Sequence, residues 1–374
     1  MNFSAADHAA MRRALRLAER GLYSTAPNPR VGCVLTRDGA LVGEGWHRRA
    51  GEPHAEIHAL RAAGDKARGA TAYVTLEPCS HHGHTPPCAD DLIAAGVHRV
   101  VAAMEDPNPQ VSGRGLARLR AAGVLVETGL LEEAARELNR GFIARMTRGR
   151  PWLRLKIAAS LDGRTALGNG ESQWITGTAA RQDGHHWRAR ASAILTGMGT
   201  VRKDDPCLDV RGVKTDRQPL MVVLDPRLEL SPRARLFVSG APVLVVSAVD
   251  DPISAAPLLE KGAECLCLPD AKGKIDLPSL MRELAARGVN EAHGEAGARL
   301  NGAFIAAGLA DELLFYFAPC FLGDAARPLL ALPGELTTLD ERVRLAFHDI
   351  QPLGHDLRIL ARFANEAASK ARVS

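Results

Sequence analysis

The stretch EPCSHHGHTPPC, Glu77 to Cys88, places two cysteines around a polar loop rich in histidine, glycine and proline. Such a loop is too polar for a core, so the thiols form a disulfide, a metal clamp or a chance pair. Seven cysteines in 374 residues are an odd number and too few for a disulfide scaffold. We therefore expect a reducing cytoplasm, where paired cysteines more often bind metal.

A candidate metal site emerges when the upstream segment GEPHAEIHAL is added, because His54-Ala55-Glu56 opens a predicted helix there. Catalytic zinc takes three protein ligands and keeps one position for water. His54, Cys79 and Cys88 supply three such ligands, and the start of a helix favours the thiolate that zinc needs. Glu56 is then a free carboxylate that can exchange protons with water and a leaving amine, as in zinc nucleobase deaminases.

Other ligand sets are compatible with these residues. His58 follows His54 by one helical turn, but a zincin needs glutamate directly after the first histidine, and here it is displaced by one. The loop residues His81, His82 and His84 are alternative ligands, although a loop histidine is usually solvated. If one of them were a fourth ligand, the site would be closed and structural.

Helix and strand patterns alternate along the whole chain, which predicts α/β domains with largely parallel sheets covered on both faces. A hairpin is predicted around Asp38-Gly39. The basic stretch TRGRPW, 147–152, lies between two series of patterns and predicts a boundary, with domains over 1–147 and 151–363. The remainder, 364–374, is small and polar and predicts a disordered tail. Charges interrupt the N-terminal segment, so we expect no signal peptide. No run approaches the ~18 apolar residues of a membrane span, so we expect none.

HAE followed by EPCSHHGHTPPC resembles the deaminase half of the bifunctional deaminase-reductase family of riboflavin biosynthesis. Cytidine deaminases usually separate the two cysteines by two residues, whereas this family has the longer G-x-T-P-P-C loop that Gly83 to Cys88 match. APNPRVGCVL and MEDPNPQVSGRG are similar to the family's substrate loops, which implies that Asn28, Asp106 and Asn108 line a pyrimidine pocket. Without the resemblance, the two Asn-Pro pairs would be ordinary turns. The implied fold is a cytidine-deaminase-like three-layer α/β/α domain.

The second half lacks a full G-x-G-x-x-G motif, and its glycines give only weak signals of a phosphate-binding backbone. Four of its segments, however, resemble the family's reductase half in the family's order: KIAASLDGRTA, ESQWITG, TGMGTVRKDDPCLDVR and EAGARLNGAF. That half has a dihydrofolate-reductase-like α/β fold and uses NADPH.

The resemblance also implies the contact residues of the reductase. For the cofactor these are Ala158, Trp174, Thr200, Asp204, Gly297, Ala298, Arg299, Leu300, Asn301, Gly302 and Ala303. For the substrate they are Lys156, Ser172, Arg188, Leu208, Arg211 and Glu295. Arg188 and Arg211 suit a phosphate because a guanidinium binds oxyanions in a bidentate fork, although both could be solvated surface arginines. Ala292 and Gly294 stand where a central strand favours larger residues, which predicts a weakened strand.

The implied function is a bifunctional riboflavin-biosynthesis enzyme. It would use zinc to deaminate a diamino-ribosylamino-pyrimidinone 5′-phosphate and NADPH to reduce the ribosyl group to ribityl. The net charge of +4 and the 4% of aromatic residues suit a small phosphorylated pyrimidine and disfavour nucleic acid. We expect no membrane partner and, from the resemblance, a homo-oligomer. The rivals are a zinc deaminase of tRNA or a free nucleoside, and a non-catalytic protein with structural zinc and a nucleotide-sensing domain.

Overall fold

The computed structural model describes residues 3–80, 87–109 and 111–364. The three loop histidines and the predicted tail from residue 365 onward therefore lie outside the described residues. The chain divides into two compact units, Met1–Gly149 and Arg150–Ser374, and each is described by itself. Among the described residues, no helix combines the length and apolar character needed to cross a bilayer.

The first unit contains one mixed sheet with the strand order β2-β1-β3-β4-β5. β1 is antiparallel to β2 and β3, whereas β3, β4 and β5 are parallel. The predicted hairpin is confirmed: Asp38 and Gly39 join β1 to β2, both with positive φ. The elements are α1 (Ala5–Glu19), β1 (Gly32–Arg37), β2 (Ala40–Trp46), α2 (Ala55–Ala63), β3 (Thr71–Val74), α3 (Cys88–Ala94), β4 (Arg99–Ala102), α4 (Arg114–Ala121), β5 (Leu125–Thr128), α5 (Glu132–Leu138) and α6 (Arg140–Arg148).

Close approach between α2 and β2 sets the position at which α2 begins. A Cβ added to Gly43 would lie 2.3 Å from the carbonyl oxygen of Ala59, and one added to Gly45 would lie 2.5 Å from that of Ala55. Larger residues would push the helix off the strand, so these glycines let it lie directly on the sheet. His54, the residue that precedes α2, is thereby fixed against the sheet.

The second unit contains a large sheet with the order β11-β10-β9-β8-β12-β6-β13-β16-β15, and β7 pairs with β14 separately. From β11 to β13 neighbouring strands are parallel, and β16 is antiparallel to β13 and β15. The elements are β6 (Trp152–Ser160), β7 (Arg164–Ala166), α7 (Thr178–Arg190), β8 (Ala193–Gly197), α8 (Met198–Asp204), β9 (Leu220–Leu224), β10 (Val243–Ser247), α9 (Pro252–Glu260), β11 (Glu264–Cys267), α10 (Leu277–Ala286), β12 (Glu291–Gly294), α11 (Ala298–Ala306), β13 (Glu312–Ala318), β14 (Arg327–Pro328), β15 (Leu345–Leu353) and β16 (Asp356–Phe363).

The strand β12, which was expected to be weak, is a fully buried strand between β8 and β6. A Cβ on Gly294 would lie 2.7 Å from Cδ2 of Leu155, so the leucine occupies the space that the glycine leaves. The small residues of β12 thus fit their neighbours. The antiparallel hairpin of β15 and β16, by contrast, was not predicted from the sequence.

Candidate active sites

The structure brings His54, Cys79 and Cys88 together, and their ligand atoms all lie within 4.8 Å of one another. Nδ1 of His54 is 3.2 Å from Sγ of Cys88 and 3.6 Å from Sγ of Cys79. His54 precedes α2, Cys88 is the first residue of α3, and the backbone N–H of Cys88 donates to the Cys79 sulfur at 3.3 Å. Residues up to 34 positions apart in the sequence therefore converge on one point.

This donor set fits zinc. Around a tetrahedral zinc ion with ordinary Zn–N and Zn–S bonds, nitrogen and sulfur ligand atoms lie about 3.5 Å apart, close to the separations found here. The neighbouring Cys88, together with His54, lowers the pKa of Cys79 well below its ordinary value, because both stabilise the thiolate through hydrogen bonds. A thiolate is the form that binds metal.

Glu56 lies beside this cluster and is not part of it. Its side chain is buried, with 3% of the residue exposed, and Oε2 has no hydrogen-bond partner among the described residues. Burial raises the pKa of Glu56 to about 7, and the nearby His54 opposes that rise. A carboxyl group with this pKa can both accept and donate a proton near neutral pH.

Asn28, one of the expected pocket residues, is held by a histidine that the sequence analysis missed. Nδ2 of Asn28 lies 3.1 Å from Nε2 of His47, whose Nδ1 lies 3.2 Å from the carbonyl oxygen of Pro53. Burial lowers the pKa of His47, so the ring is neutral and can accept from the Asn28 amide while donating to Pro53. The His47 ring also packs edge-on against His54, with centroids 5.3 Å apart. Its position at the end of β2 was the only signal in the sequence.

Asp106 and Asn108 lie in the segment between β4 and α4. Oδ1 of Asp106 accepts a hydrogen bond of 2.8 Å from the backbone N–H of Asn108, which fixes the turn that carries both residues. The N–H of Asp106 in turn donates to the buried Glu77 carboxylate at 3.0 Å. Glu77 directly precedes Pro78 and Cys79 in the sequence, and its carboxylate also supports the loop that contains Asp106.

In the second unit, the expected cofactor residues cluster at the carboxyl ends of neighbouring parallel strands. β8 leads into α8, which contains Thr200 and ends at Asp204. β12 leads through Glu295 to Gly297, the N-cap of α11. Ligands of open parallel sheets bind at this edge, and the start of a helix attracts phosphate. The seven residues from Gly297 to Ala303 form that helix start.

The stretch between Gly297 and Ala303 packs tightly against its surroundings. Asn301 is buried and donates to the carbonyl oxygen of Ala296 at 3.1 Å. A Cβ on Gly302 would lie 1.8 Å from the carbonyl oxygen of Ala331. Ala298, Arg299, Leu300 and Ala303 complete the stretch, whose backbone is thus rigidly placed.

Arg188 and Glu295, both expected to contact substrate, bind each other. Nε and Nη2 of Arg188 donate to the two oxygens of Glu295, the second at 2.9 Å, and Nη1 donates to the carbonyl oxygen of Asp209 at 3.0 Å. The bidentate face that was expected to suit a phosphate is therefore filled by Glu295. Burial would raise the pKa of Glu295, but the charge of Arg188 outweighs it and holds that pKa far below its ordinary value.

The other expected substrate residues differ in exposure. Lys156 on β6 is partly buried, and burial lowers its pKa although Glu295 opposes the change. Arg211 is exposed, and its backbone N–H donates to Nδ1 of His185 at 3.1 Å. Leu208 is buried, with a positive φ of 53°.

The expected substrate residue Ser172 and the expected cofactor residues Ala158 and Trp174 also differ in exposure. Ser172 is half-buried, as is Ala158 on β6, whereas Trp174 is 69% exposed and stacks under the guanidinium of Arg181. A large exposed aromatic ring provides a surface on which a planar ligand can stack.

Fold and sites together define a zinc deaminase joined to a reductase. Residues 4–104 match the family described as the cytidine and deoxycytidylate deaminase zinc-binding region, and residues 151–359 match the RibD C-terminal domain. The chain is 49% identical to the riboflavin biosynthesis protein RibD of Escherichia coli, over 94% of this chain and 98% of that protein. It is 47% identical to RibD of Haemophilus influenzae, over 96% and 98%.

Solved structures of similar proteins lead to the same family. RibD of Acinetobacter baumannii superposes with a TM-score of 0.90 at 43% identity, covering 96% of this chain and 99% of that one. A diaminohydroxyphosphoribosylaminopyrimidine deaminase/5-amino-6-(5-phosphoribosylamino)uracil reductase from Thermotoga maritima gives 0.85 at 34% identity, with the same coverage. The chain belongs to the RibD family. It is a bifunctional deaminase and reductase of riboflavin biosynthesis, and its cofactors are zinc and NADPH.

Proposed function

We propose that the first unit deaminates 2,5-diamino-6-(5-phosphoribosylamino)pyrimidin-4(3H)-one, and that the second reduces the ribosyl group of the product to ribityl. The name of the Thermotoga maritima relative, a diaminohydroxyphosphoribosylaminopyrimidine deaminase, supports this substrate. The observation that carries the proposal is the buried Oε2 of Glu56 beside the three zinc ligands, which has no hydrogen-bond partner among the described residues. A structural site has no use for such a group, whereas hydrolysis needs one.

In the deaminase site, His54, Cys79 and Cys88 would hold the zinc. Zinc lowers the pKa of water so that a nucleophile forms near neutral pH. Glu56 takes a proton from the attacking water and delivers one to the departing amine, which leaves as ammonia. Asn28, fixed by His47, would orient the pyrimidine ring from one side.

Asp106 and Asn108 would line the same pocket from the segment that follows β4. The hydrogen bond between the Asp106 carboxylate and the Asn108 backbone supports this role, because it gives the pocket wall one conformation. A preformed wall binds substrate without an ordering cost.

In the reductase site, the Gly297–Ala303 segment, Thr200 and Asp204 would bind NADPH, with Trp174 and Ala158 beside it. NADPH would supply the hydride for reduction at C1′ of the ribosyl group, and the ring oxygen would take up a proton. Glu295, kept anionic by Arg188, would accept hydrogen bonds from sugar hydroxyls.

The remaining reductase residues would hold the rest of the substrate. Nε of the exposed Arg211 lies 3.6 Å from Oδ1 of Asp209, a looser pairing than the bidentate one between Arg188 and Glu295. The Arg211 guanidinium is therefore the better candidate for the phosphate. Lys156, whose charge is destabilised by burial, would lie near the sugar beside Glu295. Ser172 and Leu208 would complete the substrate contacts.

The proposal is tested by giving the zinc-loaded protein the diamino substrate and NADPH, and by following ammonia and NADPH together. We expect ammonia release followed by NADPH consumption. If neither occurs, the proposed substrate is wrong. A protein that consumed NADPH without releasing ammonia would contradict the proposed order.

The same proposal includes a cytoplasmic homo-oligomer that acts on a small phosphorylated pyrimidine, without nucleic acid or a membrane as partner. The mild net charge supports the small anionic substrate. Sedimentation of the purified protein at several concentrations would test the oligomer, and a single monomeric species throughout would contradict it.

A further inference from the structure

Glu77 is a buried carboxylate that no step of the proposed chemistry uses. Only 3% of the residue is exposed, and it lies two residues before Cys79. An isolated buried carboxylate is costly, so its partners have to compensate for the lost hydration. Those partners come from the segment that follows β4 rather than from β3 or the loop after it that carries Glu77.

Four backbone N–H groups converge on this carboxylate. Oε2 accepts from Asp106 at 3.0 Å and from Gly113 at 2.9 Å. Oε1 accepts from Gly115 at 2.8 Å and from Leu116 at 3.3 Å. All four donors are main-chain groups between β4 and the first turn of α4. The N-cap of α4 is Gly113, which has no side chain to accept hydrogen bonds from the N–H groups at the start of the helix. The Glu77 carboxylate, from another segment, accepts them instead.

The backbone around Glu77 adds further contacts with the same segment. Its own N–H donates to the carbonyl oxygen of Met104 at 2.9 Å. A Cβ on Gly115 would lie 1.9 Å from the carbonyl oxygen of Pro78, so α4 rests directly on the backbone next to Cys79. Glu77 thus joins the segment that contains Cys79 to the segment that contains Asp106 and Asn108.

We propose that Glu77 is a positioning residue that sets the distance between the zinc site and the Asp106–Asn108 pocket wall. The inference rests on the proposed function, since it assigns those two residues to the pyrimidine pocket. Glu77 acts through the hydrogen bond to Asp106, whose carboxylate in turn fixes Asn108. A small displacement of such a wall costs substrate binding more than it costs chemistry at the metal.

Glu77→Gln is the sharpest variant, because either orientation of the amide turns an NH₂ group toward two N–H donors. Two of the four hydrogen bonds to the side chain are then lost, and the N–H groups that made them face an NH₂ group that repels them. We expect the KM of the deaminase for the diamino substrate to rise about 10- to 100-fold, with a smaller change in kcat. Zinc content should stay at one ion per chain, and NADPH-dependent reduction of the deaminated substrate should be unchanged.

Two further variants separate positioning from folding. Glu105→Gln makes the same change at an exposed glutamate next to Asp106 and should leave the KM as in the native protein. Glu77→Asp keeps the charge and both oxygens on a shorter arm, so it should restore part of the native KM.

Two results would overturn the inference. One is a deaminase KM of Glu77→Gln within twofold of the native value. The other is a loss of zinc from Glu77→Gln and Glu77→Asp alike, because the residue would then serve the metal site and not the pocket wall. Failure of the proposed function is recognised separately, since the native protein would then release no ammonia in the same assay.

Discussion

Glu56 in the first unit is buried and Glu295 in the second is largely buried, yet the pKa values of the two carboxyl groups move in opposite directions. Burial raises the pKa of Glu56 to about 7, and its Oε2 has no partner among the described residues. Glu295 experiences the same penalty, but the bidentate Arg188 reverses it. The partner therefore decides whether a buried carboxylate exchanges protons or remains a fixed anion.

The opposite pKa shifts of Glu56 and Glu295 suit the different reactions of the two units. Hydrolytic deamination needs a group that takes and returns a proton, and hydride transfer to a sugar needs a fixed charge to orient the substrate. Variants of the two glutamates should therefore fail in different halves of the reaction.

The largest effect is expected for Glu56→Gln. The amide keeps the shape of the side chain but cannot accept a proton, so ammonia release should fall about 10²- to 10⁴-fold. Zinc content and reduction of the deaminated substrate should be unchanged. Glu52→Gln, at an exposed glutamate two residues before His54, is the control. Retained deamination in Glu56→Gln would favour a structural zinc site instead.

Glu295→Gln should cost the reductase about 10²-fold in kcat/KM, because Arg188 keeps its charge and loses half of its bidentate partner. The measurement is NADPH consumption with the deaminated intermediate as substrate. Ammonia release should stay native, and the exposed Glu260→Gln serves as the control. Native reduction by Glu295→Gln would mean that the fixed anion is not needed.

Gly302→Ala tests whether the cofactor segment needs the close approach to Ala331. The added Cβ would lie 1.8 Å from a carbonyl oxygen, and relieving such a clash costs about 1–3 kcal/mol. The Tm of the second unit should fall by several degrees, and the KM for NADPH should rise. Gly184→Ala, inside α7 with open space around its Cβ position, should instead leave the Tm unchanged or raise it. Equal effects of the two variants would argue against a specific contact.

The smallest expected effect is on the stability of the protein at low pH. The folded pKa of Glu295 is lowered, so its ion pair stabilises the protein above the ordinary value of 4.5 and is lost as pH falls through the lower, folded pKa. The stability difference between native protein and Glu295→Gln should therefore be full at pH 6 and shrink below about pH 4. Chemical denaturation at several pH values measures it. A difference that did not depend on pH would mean that the pair contributes through packing alone.

Chemically specific residues were predictable from the sequence. His54, Cys79 and Cys88 were expected together because few other roles require those types in that pattern, and the Asp38-Gly39 hairpin followed from its turn. The pairing of Arg188 with Glu295 was not predictable, because the two residues lie 107 positions apart and the sequence does not show which anion an arginine meets.

The last hairpin was missed for a different reason. β15 is an edge strand whose residues are mostly exposed on both faces, so its apolar residues show no alternation. Glu77 was also missed as an anchor, since its partners are backbone groups and leave no mark on the sequence.

The most direct test is a crossed assay of Glu56→Gln and Glu295→Gln, each given first the diamino substrate and then the deaminated intermediate, with NADPH present. The account predicts that Glu56→Gln releases ammonia about 10²- to 10⁴-fold more slowly but reduces the intermediate at the native rate. It also predicts that Glu295→Gln releases ammonia at the native rate and reduces the intermediate about 10²-fold less efficiently. If either variant lost both activities while keeping its zinc and its fold, the division of labour between the two carboxylates would be contradicted.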